Sequence, residues 1–169
     1  MSKKVRIIVF MGSKKDFPFA EKIGKFIVKE GFSVKFEYNV VSAHKTTDLL
    51  IRKLEEHDKS WDDLVYITIA GLSDALSGVV AGFTRYPVIA CPPDSEKLGW
   101  SKIFSSVMTP TGVPVLFVSK PENAVLGALR ILALANNFLY KEIDNYKSKK
   151  KEEIINADED IKNEEKNRY

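Results

Sequence analysis

Five short apolar segments, separated by stretches with helical spacing, constrain the fold of this chain more than any other feature. They are residues 5–10 (VRIIVF), 34–41, 64–70 (LVYITIA), 87–91 and 113–118. The first and third segments are nearly continuously apolar, which is typical of strands buried on both faces of a parallel sheet. Between the segments, apolar residues recur three or four positions apart and indicate amphipathic helices. This alternation predicts a flavodoxin-like three-layer α/β/α sandwich around a five-stranded parallel sheet, with right-handed crossovers and a C-terminal helical extension.

The chain divides into two parts by composition. Residues 1–144 contain all five apolar segments, and with 44% hydrophobic residues in the whole chain of 169 we expect them to form one catalytic domain with its own core. Residues 145–169 are mostly charged, so we predict a tail that is part helical and part disordered. The basic N-terminus precedes an apolar run that Arg6 interrupts, which favours a strand over a signal peptide.

Charge and cysteine content exclude several classes of protein. A net charge of +3 is too small for a dedicated nucleic-acid binder. One cysteine excludes a disulfide framework, and no cluster of ligand residues has metal-site spacing. No apolar run approaches the roughly 20 residues of a membrane span. We therefore expect a cytoplasmic protein that binds no metal, no nucleic acid and no membrane.

The segment Ser42-Ala43-His44-Lys45 holds one of the two histidines, directly after the second predicted strand. Ligands of open α/β sheets bind at the carboxyl ends of strands. Histidine exchanges protons near neutral pH, and the neighbouring Ser42 and Lys45 are suited to hold an anion. His44 could instead be a structural or a surface histidine, but its position favours catalysis.

The first strand is followed by Gly12-Ser13, which can present backbone N–H groups and a hydroxyl to a phosphate. The pattern is neither a Walker motif nor Gly-x-Gly-x-x-Gly, and a tight turn with a helix cap explains it equally well. Asp16 either caps the following helix or accepts hydrogen bonds from ribose hydroxyls. The sequence around these residues leaves both alternatives open.

Two other reactive side chains are not expected to act in the site. His57 lies among Glu55, Glu56 and Asp58, so we expect it on the solvated surface. Cys91 ends an apolar segment and is interpreted as a small core residue, because no base is placed beside it.

Taken together, the loops resemble the PurE family of purine biosynthesis. The matching segments are Met11-Gly12-Ser13 with Asp16, then Val41 to His44, Ala70-Gly71, and Met108 to Pro114. They occur in the family's order and spacing over roughly residues 5 to 140. Each segment alone is common, whereas the ordered set is specific.

The family has two classes, and this chain is similar to the class that carboxylates 5-aminoimidazole ribonucleotide (AIR) with CO2. Lys45 after the histidine and Cys91-Pro92-Pro93 after the fourth strand are features of that class. The resemblance implies conversion of AIR to 4-carboxy-AIR without cofactor or metal.

The resemblance also implies a role for each candidate residue. His44 would act as general acid and base at C4. Gly12, Ser13, Ser42 and Lys45 would hold the 5′-phosphate, Asp16 the ribose hydroxyls, and Gly71 and Ser73 would cover the ring and shape the CO2 pocket.

The chain departs from this class at a few positions. Lys15 replaces a serine, and Leu72 and Asp74 replace the arginine and asparagine of the third loop. Two alternatives stay open. The first is the N5-carboxy-AIR mutase of the other class, against which Lys45 and the absence of a glycine-rich third loop with its own histidine argue. The second is a nucleotide-binding module that has lost turnover through Leu72 and Asp74. The resemblance further implies a homo-oligomer, a tetramer or an octamer.

Overall fold

A parallel five-stranded sheet forms the centre of the computed structural model, which describes residues 4–93 and 100–168. The strand order is β2-β1-β3-β4-β5, and every neighbouring pair is parallel. The strands are β1 (Val5–Met11), β2 (Lys35–Val40), β3 (Asp63–Ile69), β4 (Val88–Ala90) and β5 (Leu116–Phe117). This order confirms the flavodoxin-like prediction. The polar sequence of residues 94–98 (DSEKL) predicts a loop, which lies outside the described residues.

Helices cover both faces of the sheet. They are α1 (Phe17–Glu30), α2 (Thr47–Ser60), α3 (Ala75–Phe83), α4 (Trp100–Val107), α5 (Pro121–Ala133) and α6 (Phe138–Arg168). One core cluster joins α1, α5 and the start of α6 to alternate residues of β1 and β3, and a second joins α2 and α3 to the other face. The strands β1 and β3 are therefore buried on both sides, as their continuous apolar runs predict.

The fifth strand is shorter than its apolar pattern suggests. The pattern covers residues 113–118, whereas only Leu116 and Phe117 pair with β4. Pro114 has no N–H to donate to a ladder, and β4 itself is only three residues long. The sheet consequently ends in a short edge strand.

The charged tail belongs to the helix α6, which ends at Arg168. The mixture of helix and disorder stays a prediction. Tyr146 packs on Phe26 and Phe32, and Lys149 pairs with Glu30 over 2.8 Å. Residues 151–166 are exposed. Within the described residues, no helix combines the length and the apolar character needed to cross a membrane.

The expectation of a solvated His57 is wrong, since only 8% of the residue is exposed. Its ring nitrogens lie 3.1 Å from the Tyr66 hydroxyl and 3.1 Å from Glu37 Oε1. Burial lowers the pKa of His57, and the negative charge of Glu37 offsets this only in part. Arg6 in turn pairs with Glu37 over 2.7 Å. His57, Tyr66, Glu37 and Arg6 thus form one polar cluster, because the last turn of α2 packs on the sheet.

Candidate active site

The first loop leaves β1 and turns directly into α1. The Gly12 N–H donates to Ile69 O over 2.9 Å, which ties this loop to the end of β3. Ser13 caps a 3-10 turn of residues 14–16, and its Oγ accepts from Lys15 N over 3.1 Å. A hydroxyl that accepts one bond still has its own O–H to donate. Asp16 precedes α1 without a side-chain capping bond, so the capping alternative does not hold.

The second loop is a single compact turn after β2. Val41 N donates to Met11 O over 2.8 Å and aligns the exits of β2 and β1. Ser42 is held by Thr46, whose Oγ1 accepts from Ser42 N over 2.9 Å, while Ser42 Oγ accepts from Lys45 N over 3.2 Å. His44 lies at the outside of this turn and is exposed. The imidazole is therefore accessible to a bound molecule.

The third loop, residues 71–74, joins β3 to α3. Leu72 adopts a left-handed conformation with φ of 53°. Asp74 caps α3: its carboxylate accepts from Ser77 N over 3.1 Å and from the Ser77 hydroxyl over 2.6 Å. Only 4% of Asp74 is exposed. Its charge is thus directed into the protein and stabilises the N-terminus of a helix.

These three loops enclose a cleft of about 460 Å³ at the carboxyl ends of β1, β2 and β3. It lies beside the point where the strand order reverses between β1 and β3, the usual ligand position in this kind of fold. All eight predicted site residues line it: Gly12, Ser13, Asp16, Ser42, His44, Lys45, Gly71 and Ser73. Lys15, Ala43, Ala70, Leu72 and Leu76 complete the lining.

The sequence predicts that the exit of the fourth strand lies near the other three, because parallel strands share their carboxyl edge, but its described residues do not line the cleft. Cys91 to Pro93 are absent from the cleft lining, and Cys91 is fully buried. Burial raises the pKa of the Cys91 thiol to about 12, so it remains protonated, which agrees with a core residue.

The lining is suited to an anionic, polyhydroxylated ligand. Lys15 and Lys45 supply positive charge, Ser13 and Ser42 supply hydroxyl donors, and Asp16 supplies an acceptor. Among the described residues, no group of three or more His, Cys, Asp or Glu side chains is arranged to hold a metal ion.

One residue behind the site has no sequence signal. Lys102 of α4 is buried, and its Nζ donates to the Leu72 carbonyl over 2.7 Å. A lysine in a short amphipathic helix is ordinarily a surface residue, so only the packing of α4 on the third loop identifies it.

Comparison with known proteins decides the family. The model of the AIR carboxylase family matches residues 6–153 of this chain. The chain belongs to this family. The match includes the three loops of the cleft and most of the sheet and helices around it, so membership in the AIR carboxylase family rests on the whole domain and confirms the resemblance drawn from the loop motifs.

Some relatives of this chain are named as carboxylases, and another is named as a mutase. A protein of Archaeoglobus fulgidus named phosphoribosylaminoimidazole carboxylase is 36% identical over 158 residues, 94% of this chain and 86% of the relative. A protein of Methanocaldococcus jannaschii named N5-carboxyaminoimidazole ribonucleotide mutase is 42% identical, covering 92% of this chain and 97% of the relative. The crystal structure of Treponema denticola PurE superposes with a TM-score of 0.86 at 35% identity, covering 92% of this chain and 98% of that one.

Proposed function

We propose that this chain is an AIR carboxylase, which reversibly adds CO2 to C4 of AIR and yields 4-carboxy-AIR in purine biosynthesis. The observation that carries the proposal is that one cleft is lined by His44, Ser13, Ser42, Lys45 and Asp16. These side chains belong to the two loops that follow β1 and β2. Lys45 follows His44, as the resemblance implies for the carboxylase class. Residues 71–73 contain no second histidine, which the resemblance implies for the third loop of the mutase class, so both features favour carboxylation.

The chemistry requires one carbon–carbon bond and one proton transfer. C4 of AIR is enamine-like, and its electron pair attacks the carbon of CO2 to form the new bond. His44 then takes the proton that C4 carried, and aromaticity is restored as 4-carboxy-AIR forms. In the reverse direction the imidazolium returns this proton to C4 as CO2 leaves.

The other residues of the cleft bind and orient the nucleotide. The Ser13 backbone N–H, the two serine hydroxyls and Lys45 hold the 5′-phosphate, to which charge-assisted bonds are well suited. Gly12 lines the same part of the cleft, and its own N–H is used by the Ile69 carbonyl. Asp16 accepts from the ribose hydroxyls. Gly71 and Ser73 cover the ring and exclude water, which favours uncharged CO2 over bicarbonate.

The replacement His44→Asn tests this assignment. We expect turnover to fall by about 10²–10⁴-fold, the usual contribution of a general acid or base, while AIR affinity changes little. His57→Gln, which changes the other histidine outside the cleft, should retain activity and serves as the control. Activity of His44→Asn within tenfold of wild type would remove His44 from the proton transfer.

The N5-carboxy-AIR mutase is a second candidate, because the Methanocaldococcus jannaschii relative carries that name at 42% identity. A spectrophotometric assay with purified protein separates the two. Turnover of AIR with CO2 and bicarbonate, without ATP, supports the carboxylase. Turnover only with freshly generated N5-carboxy-AIR supports the mutase, and nucleotide binding without turnover indicates a binding module.

We also propose that the chain works in the cytoplasm as a homo-oligomer, a tetramer or octamer. Large apolar side chains are exposed on three elements, Phe83 on α3, Phe104 on α4 and Leu116 on β5, and α4 contacts both α3 and β5. Exposed apolar patches of this kind are typical of subunit contacts. Light scattering coupled to gel filtration gives the number of chains, and a monomer would contradict the proposal.

A further inference from the structure

Three side chains of α4 hold the third loop from behind. The ammonium of Lys102 donates to the Leu72 carbonyl over 2.7 Å. Ser105 Oγ accepts from Asp74 N over 2.8 Å, and the Ser106 hydroxyl donates to Asp74 Oδ2 over 2.7 Å. Lys102 is only 1% exposed and does not line the cleft. Removing an ammonium from water is costly, so a buried lysine is retained only where its hydrogen bonds compensate.

The held segment is a strained one. Leu72 has a φ of 53°, a left-handed conformation that is unfavourable for a residue with a Cβ. The Leu72 side chain is 79% exposed, so its own burial does not offset that cost. The bonds from α4 to the loop backbone are therefore what keeps this conformation.

The bond from Lys102 also fixes the direction of a peptide group. The Leu72 carbonyl and the Ser73 N–H belong to the same peptide unit, and the described part of the chain contains no cis peptide. In a trans peptide the C=O and N–H point in opposite directions. Because the Leu72 carbonyl points to Lys102, the Ser73 N–H points away from Lys102. Leu72 and Ser73 both line the cleft, whereas Lys102 does not.

The carboxylate of Asp74, the negative charge of this loop, is directed away from the cleft. Asp74 directs its carboxylate to Ser77 and Ser106, and it is not part of the cleft lining. The loop consequently presents a backbone donor to the cleft and keeps its acid inside. That arrangement fits a carboxylate on the bound ligand.

We propose that Lys102 is a positioning residue: it fixes the Leu72–Ser73 peptide so that the Ser73 N–H donates to the carboxylate that distinguishes 4-carboxy-AIR from AIR. The proposal rests on the proposed carboxylase function and assigns selectivity for the carboxylated nucleotide to a side chain that never contacts it. It also gives this chain's third loop, with Leu72 and Asp74, a way to recognise an anion without its own cation.

Calorimetric titration of Lys102→Met with AIR and with 4-carboxy-AIR tests the proposal. The AIR dissociation constant should stay within threefold of wild type. The dissociation constant for 4-carboxy-AIR should rise by about tenfold, as expected for the loss of one hydrogen bond to a charged group. In the decarboxylation direction, the loss should appear mainly in KM.

Two controls separate this role from a general effect on folding. Lys59→Met replaces an exposed lysine outside the cleft and should leave both affinities unchanged. Leu72→Gly keeps the carbonyl that Lys102 holds and removes the left-handed strain, so it should preserve the ratio of the two affinities within threefold. The double variant Lys102→Met/Leu72→Gly should fold without strain in the loop and still lose the preference for 4-carboxy-AIR.

An equal loss of affinity for both nucleotides in Lys102→Met and in the double variant would reduce Lys102 to a structural role and overturn the proposal. Unchanged affinities for both would overturn it as well. Failure of the underlying function shows elsewhere, as wild-type protein that binds neither nucleotide.

Discussion

Replacing Gly24 with alanine tests how closely α1 packs on the edge of the sheet. A Cβ at this position would lie 2.6 Å from Phe36 Cε2 and 2.9 Å from Phe36 Cζ, and it would also meet the Tyr38 hydroxyl. These contacts are far below van der Waals separation, and both rings belong to β2. The same Tyr38 hydroxyl accepts a hydrogen bond from Gly24 N over 2.9 Å, so moving the ring also breaks this bond.

The change in the free energy of unfolding is the sum of one stabilising and two destabilising contributions. Alanine is favoured over glycine in a helix interior by about 1 kcal/mol. Overpacking of a core costs about 1–3 kcal/mol, and loss of the Tyr38 bond costs about 1 kcal/mol. We expect a net loss of about 1–3 kcal/mol, which corresponds to a fall in Tm of roughly 3–10 °C for a chain of this size.

Gly127→Ala is the matched control. Gly127 lies inside α5, and its added Cβ would meet Ile89 Cδ1 at 3.6 Å, an ordinary contact. The helix preference then acts alone, and Tm should rise by roughly 2–4 °C. Both variants are compared with wild type by thermal and urea unfolding at one protein concentration. If Gly24→Ala is as stable as wild type, or if both variants shift Tm alike, the close packing of α1 on β2 is refuted.

Three further predictions concern the site, the buried histidine and the tail. Lys45→Ala should weaken AIR binding by about tenfold with no change in Tm, as loss of one charge-assisted contact implies, and an unchanged affinity in calorimetry would place the lysine elsewhere. Because the pKa of His57 is lowered in the folded protein, its contribution to stability is complete above the unfolded value near 6.5 and is lost as pH falls below it. Urea midpoints at pH 7.5 and 5.5 should therefore differ more for wild type than for His57→Gln, and equal differences would contradict this. Truncation after Lys150 removes a segment whose residues 151–166 are exposed, so Tm should stay within about 2 °C by calorimetric scanning, and a larger fall would reveal packing beyond Tyr146.

The order of elements and the location of the site follow from the sequence. Runs such as residues 5–10 are apolar at every position, and only a strand covered on both faces buries such a run. In a parallel sheet the carboxyl ends of neighbouring strands lie at one edge. Gly12, Ser42 and Gly71 therefore converge although some thirty residues separate each from the next.

Properties that depend on which side chains meet across elements were not predictable in this way. His57 has acidic neighbours in sequence, which suggests solvent, yet the last turn of α2 brings it onto Tyr66 of β3 and Glu37 of β2. The fifth strand ends where its partner β4 ends, and the apolar pattern of residues 113–118 does not contain that limit.

The sequence by itself determined the layered α/β fold, the three loops of the cleft and the residues that line it, because these depend on local periodicity and on the common direction of parallel strands. Only the tertiary structure decided which charged side chains around the third loop are buried and what they bind. Asp74 is turned inward to serines of α3 and α4, and Lys102 is buried against the Leu72 carbonyl. Ser77 is a local partner, but the bonds that α4 makes to Leu72 and Asp74 join residues about thirty positions apart, so a local pattern does not encode this burial.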